Sequence, residues 1–124
     1  MILDSTIALQ AVLAGAVAAN QPEVHVSYKV YDKDGEPKKP AIYRTALNSA
    51  TDVTILAAPT IVGFVFEIMA LSIYNKDTAS VTVTVKTDDG TERIITKVIL
   101  ATLETLAWEA SGGWYALTTA GARK

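Results

Sequence analysis

The chain has 124 residues, of which 50% are hydrophobic, 19% charged and only 7% aromatic, with a formal net charge of −2. That length suits one domain and leaves no room for a catalytic domain plus a second module. A mild negative charge with no Lys/Arg cluster excludes a nucleic-acid binder, and the absence of cysteine excludes a disulfide framework and thiol chemistry.

The apolar content comes mainly from Ala, Val, Ile and Leu, more than a small monomer needs, and this favours burial against partners. From the N-terminus, Asp4, Ser5 and Thr6 are capable N-caps ahead of Ile7, Leu9, Val12 and Leu13, so a short helix is expected, ending at Gly15. Its apolar residues are spread around the circumference, which leaves two readings: a helix capping its own domain, or an arm laid on a neighbouring subunit. Asp4 and the lack of an early Lys or Arg do not fit a signal peptide, so a cytoplasmic product is expected.

In EVHVSYKVYD, Val24, Val26, Tyr28 and Val30 share one parity, the pattern of a half-buried strand. Asp32, Lys33, Asp34 and Gly35 open like a calcium loop but lack the later ligands, so a hairpin turn is expected. Strands follow over residues 42–47 and 53–57, then a long apolar one over 61–74. In that last strand Phe64, Phe66 and Ile68 alternate with Val65, Met69 and Leu71, so both faces are apolar and both should be covered, by a second sheet or a second subunit. Glu67 interrupts it, with Arg44 or Lys97 as candidate partners. The run over 53–73 has membrane-crossing length, but Pro59, Gly63, Glu67 and its β-branched content argue for strands and no membrane span.

Val81, Val83 and Val85 alternate with Thr82, Thr84 and Lys86, and residues 71–100 read as a three-stranded antiparallel meander with a two-residue Asp89-Gly90 turn. Trp108 and Trp114 flank a final turn at Ser111-Gly112-Gly113; they read as core filling at the end of the sheet, with an exposed aromatic platform as the other reading. Residues 119–124 form a frayed tail or an extended arm. The fold expected is all-β, an antiparallel β-sandwich or jelly-roll-like domain over 21–118, preceded by an N-terminal helix or arm over 1–20.

The inventory carries no catalytic signal. His25 is the sole imidazole and stands mid-strand without a nucleophile, no glycine-rich loop precedes a helix, and Asp88, Asp89 and Glu92 read as a solvated hairpin tip. No enzyme activity, metal or cofactor is expected. A structural role remains, against a binding module as the alternative. Candidate intersubunit or partner contacts are Ile2, Leu3, Ile7, Leu9, Val12 and Leu13 on the N-terminal segment, and Phe64, Phe66 and Ile68 on the two-faced strand.

The opening MILDSTIALQAVLAGAVAANQPEVHVSY, the segment ALSIYNKDTASVTVTVKTDDGTERIITKVIL and the ending GGWYALTTAGARK together resemble a family of small tailed-bacteriophage virion proteins. In that family a similar start precedes an SLTIYNADT-like strand and turn, a DNGT-like hairpin, a GETL segment and a GW strand. Residues 33–59 lie outside the resemblance, and Ala101-Thr102-Leu103 stands where the family has Pro-Gly before Glu104-Thr105-Leu106. The resemblance implies a structural component of the virion, assembled in the host cytoplasm. It points to a capsid decoration or cement protein, often a trimer, bound to the major capsid protein or another virion protein. The runner-up is a tail, baseplate or fibre-associated component with a receptor-binding role.

Overall fold

Residues 8–13, Ala-Leu-Gln-Ala-Val-Leu, set Leu9, Ala11 and Leu13 on one parity, and all three are buried while their neighbours are half-exposed. That period of two belongs to a strand, and a strand is what forms. The computed structural model describes residues 1–124 and contains no helix. Its strands in order are β1 (Ile2–Leu3), β2 (Ala8–Leu13), β3 (Glu23–Tyr31), β4 (Ala41–Ala46), β5 (Val53–Leu56) and β6 (Val65–Tyr74). They continue as β7 (Val81–Asp88), β8 (Glu92–Leu100), β9 (Thr105–Glu109) and β10 (Gly113–Leu117).

Two antiparallel sheets pack as a β-sandwich. One has the order β10-β9-β6-β3-β4, with β1 pairing a further part of β6; the other has the order β5-β2-β7-β8. The expected N-terminal helix is therefore absent, and so is a free arm. Asp4 makes a tight turn instead, its Oδ1 accepting from the Thr6 backbone N–H and hydroxyl at 2.8 and 2.6 Å, and so joins β1 in one sheet to β2 in the other. Alanine-rich composition suits a helix, but three apolar residues at period two, lodged between β5 and β7, gain more by burial in the sandwich than by local propensity.

The expected three-stranded meander is also revised. β7 and β8 form a hairpin, but β6 lies in the opposite sheet, and residues 75–80 carry the chain across. The β7–β8 loop has three residues, since Asp88 pairs with Glu92, and Gly90 takes a φ of 93° in it. Residues 14–22 make the same crossing from β2 to β3. The two crossings are tied together: the Asp77 carboxylate accepts from the backbone N–H groups of Ala18, Ala19 and Asn20 at 2.7, 2.8 and 3.0 Å.

Beside it Asn75, with no solvent exposure, accepts from the Asp77 N–H and donates to the carbonyls of Ala79, Leu100 and Ala101. These polar residues lie at the buried end of the sandwich, where each unpaired group would be costly.

The two apolar faces read for residues 61–74 have a different cause from double coverage. Ser27 of β3 pairs with Ala70 and Tyr28 with Ile68, so Met69 is an extra residue, a β-bulge. Phe66 and Ile68 face the core before the bulge, Leu71 and Ile73 after it, and the parity changes between them. Residues 61–64 are a turn rather than strand. There Gly63, at φ 84°, allows the chain to pass Lys33, whose Cβ would stand 2.9 Å from an added Cβ.

Glu67 meets neither Arg44 nor Lys97; it accepts from the Tyr31 hydroxyl at 2.8 Å. The C-terminal residues fold back, Thr118 N–H to Ala122 carbonyl and Lys124 N–H to Ala116 carbonyl, with the Lys124 ammonium on the Glu104 carboxylate. No helix of the protein is long and apolar enough to cross a membrane.

Candidate binding groove

Side-chain size across the larger sheet makes a trough. On its outer face one cross-strand row runs Arg44, His25, Ser72, Ala107, Tyr115, in register from β4 to β10. The next row runs Ile42, Ser27, Ala70, Glu109. Small residues occupy the central strands and long ones the flanking strands, so the middle of the face is hollow. The groove so formed has a volume of about 330 Å³ and is floored by Ser27, Ala70, Ser72 and Ala107. Thr105 and Leu117 close one end of the β9–β10 side. A second hollow of about 510 Å³ continues past His25 and Arg44 to Lys76, Glu23 and Thr45.

The β10 wall is fixed. The Tyr115 hydroxyl donates to Glu109 Oε1 at 2.6 Å, and the Arg123 guanidinium lies 3.9 Å from the Tyr115 ring centroid. The hydrogen bond to Glu109 raises the Tyr115 phenol above its usual range. Arg123 reaches this place because the C-terminal residues turn back and bridge to Leu117. The opposite wall is open: His25 and Arg44 are exposed, and Arg44 joins none of the protein's ion pairs. The nearest bridged cation is Lys76, 2.6 Å from Glu23.

On the outer face of the other sheet, Lys86 lies nearly covered between Asp52 and Glu92, at 2.7 and 2.6 Å. Burial works against its charge, but the two carboxylates outweigh that and raise its pKa. Gln10 beside it donates to Asp88 at 3.2 Å. No group of three or more His, Asp or Glu side chains is placed to hold a metal ion.

The contact residues expected from sequence do not assemble into one surface. Leu3, Leu9, Leu13 and Ile68 are wholly or almost wholly buried in the chain's own core and are not free to meet a partner. Phe66 also faces inward, its ring centroid 4.8 Å from that of Tyr28, and Ile7 packs on the same cluster. Val12 is half-buried on the outer face, opposite Thr84, and Phe64 is half-buried in the turn before β6. Of the set only Ile2, 65% exposed, projects freely. Trp108 and Trp114 pair directly across β9 and β10 and pack against the core, the core-filling reading.

Two features escaped sequence reasoning. One is the groove, whose only signal is small residues at outward positions of three strands, invisible until the strands are in register. The other is edge strand β8, where Ile94 and Ile99 are 69% and 65% exposed and a bulge at Ile95 interrupts the alternation. No family model, curated protein or solved structure matches the chain.

Proposed function

We propose that the protein is a non-enzymatic structural component of a tailed-bacteriophage particle, and within that class a capsid decoration or cement protein. In this reading it binds the major capsid protein across neighbouring capsomers as a closed homo-oligomer, a trimer. The resemblance of the two ends and of residues 70–100 supports the class. The observation that carries the assembly role is β8: a nine-residue edge strand, paired on one side only, with Ile94 and Ile99 turned to solvent. The bulge at Ile95 and the charges of Arg93 and Lys97 blunt strand-to-strand pairing at this edge, so the contact surface is the outer face beside it, where Ile94 and Ile99 expose apolar area for another chain to cover.

Light scattering over a dilution series tests it. The expected mass is three times the 13.2 kDa of one chain, falling toward one chain in Ile99→Lys. A monomer at all concentrations refutes the oligomer. Co-sedimentation with heads assembled from the major capsid protein of the cognate phage tests the partner. The groove on the larger sheet favours a second reading, a tail, baseplate or fibre-associated protein with a receptor-binding role, which expects no binding to heads.

A further inference from the structure

We propose that the outer-face groove of the larger sheet is a binding site for an acidic saccharide, its carboxylate on Arg44 and its ring hydroxyls toward Glu109 and the serines of the floor. The two walls differ in chemistry, and the difference selects the ligand. On the β4 side Arg44 is a guanidinium with no carboxylate of its own, a rigid fork that matches a carboxylate, and His25 stands next to it in the same cross-strand row. On the β9 side Glu109 has Oε1 occupied by the Tyr115 hydroxyl, and no protein group donates to Oε2. That oxygen is free to accept hydrogen bonds from a ligand.

A polyanion such as a nucleic-acid backbone or a run of acidic side chains would satisfy Arg44 but offer no donor to the free Glu109 oxygen, beside which the Arg123 guanidinium sits on the Tyr115 ring. A ligand with one acidic end and hydroxyl groups elsewhere satisfies both. The floor suits such a ligand. Ala70 and Ala107 offer bare methyl groups for the apolar face of a sugar ring. The Ser72 hydroxyl has no partner within the protein, and that of Ser27 has only a long contact, 3.5 Å, to the Ala70 carbonyl. The volume of about 330 Å³ lies at the low end of small-ligand sites and admits a short saccharide. The hollow beyond His25 and Arg44 gives a longer chain a way out past Lys76.

The test titrates the ¹⁵N-labelled protein with a trisaccharide bearing a single uronate end, galacturonosyl-galactobiose, and with neutral galactotriose, following amide shifts. Expected are shifts at Ser27, Ala70, Ser72 and Ala107, with binding of the uronate about tenfold tighter than of the neutral sugar. Arg44→Ala is expected to remove that advantage, so that the two sugars bind alike. Ala70→Leu, an outward substitution that fills the floor, is expected to abolish binding of both sugars while the urea midpoint confirms that the variant folds. Absence of shifts at the floor up to millimolar uronate, equal binding of the two sugars, or an Arg44→Ala variant that keeps the preference overturns the proposal. Equal or tighter binding of a hexaglutamate peptide overturns the saccharide class. The inference is independent of the virion reading, since none of these outcomes alters the mass seen by light scattering.

Discussion

Asn75→Ala removes the side chain that joins three segments, and its cost follows from the bonds it makes. The Asn75 amide donates to the carbonyls of Ala79, Leu100 and Ala101 at 3.0, 3.1 and 3.0 Å, and its oxygen accepts from the Asp77 N–H at 3.0 Å. Two amide protons shared among three carbonyls, plus one accepted bond, amount to three hydrogen bonds in a site with no solvent exposure. At about 1 kcal/mol for each lost bond, with about 1 kcal/mol more for buried groups left unpaired, the expected loss is about 4 kcal/mol. That is a large part of the roughly 5–15 kcal/mol that holds a domain together.

Urea unfolding followed by the fluorescence of Trp108 and Trp114 reads it as a fall in midpoint at unchanged slope. Asn75→Asp separates bonding from shape: it keeps the volume and the acceptor but turns a carboxylate toward three carbonyls, so it should be at least as damaging at neutral pH. A loss under about 1 kcal/mol for the alanine variant, or an aspartate variant as stable as the parent, would show that the crossing is not held by this amide.

The Asp77 carboxyl, held down to about 2 by the N–H groups of Asn20, Ala18 and Ala19 and then Thr78, gives a pH test. Its folded pKa lies below the ordinary value of 3.8, so its stabilisation is full above about pH 5 and is lost as pH falls through 4 toward 2. Asp77→Asn should lessen the fall of the urea midpoint over that window; a parent-like slope refutes the assignment. Leu103 holds a left-handed φ of 65° in the turn from Ala101 to Glu104, a conformation glycine adopts without cost, and Leu103→Gly should raise stability by about 0.5–1 kcal/mol, or roughly 2–4 °C in Tm. A lower Tm would mean that the leucine side chain contributes more than the turn costs. Deleting residues 1–15 removes β1, β2 and four core residues, and should abolish cooperative thermal unfolding; a truncated protein with a sharp transition would show that the smaller sheet closes without its central strand.

The sequence shows the sandwich where alternation meets a polar boundary. Val81, Val83 and Val85 mark β7, Val24 and Val26 mark β3, and Gly90 and Gly112-Gly113 mark two hairpins, because side-chain parity and turn chemistry are local properties. Local signals misled at residues 8–13, where alanines suit a helix and only the long-range pairing with β5 and β7 decides otherwise. They also misled at Met69, since a bulge leaves no mark in a run of apolar residues. Asn75 and Asp77 carry no sequence mark of their burial, because polarity does not reveal it; the tie made by Asp77 depends on a second segment nearly sixty positions away. The groove depends on more still, the register of five strands at once, which brings Arg44, Ser72 and Tyr115 into one row.

The place of β2 in the middle of the smaller sheet has a consequence for synthesis. It leaves the ribosome well before its partners, Val53–Leu56 on one side and Val81–Asp88 on the other. Until most of the chain has emerged, Leu9, Ala11 and Leu13 have no sheet to join, and the nascent chain carries an unpaired apolar strand for seconds at ordinary elongation rates. Closing so long a loop early is slow, so folding waits for β7 and proceeds after most of the polypeptide is available. Exposure of apolar surface during translation is thereby set by the sequence distance between β2 and its late partner β7.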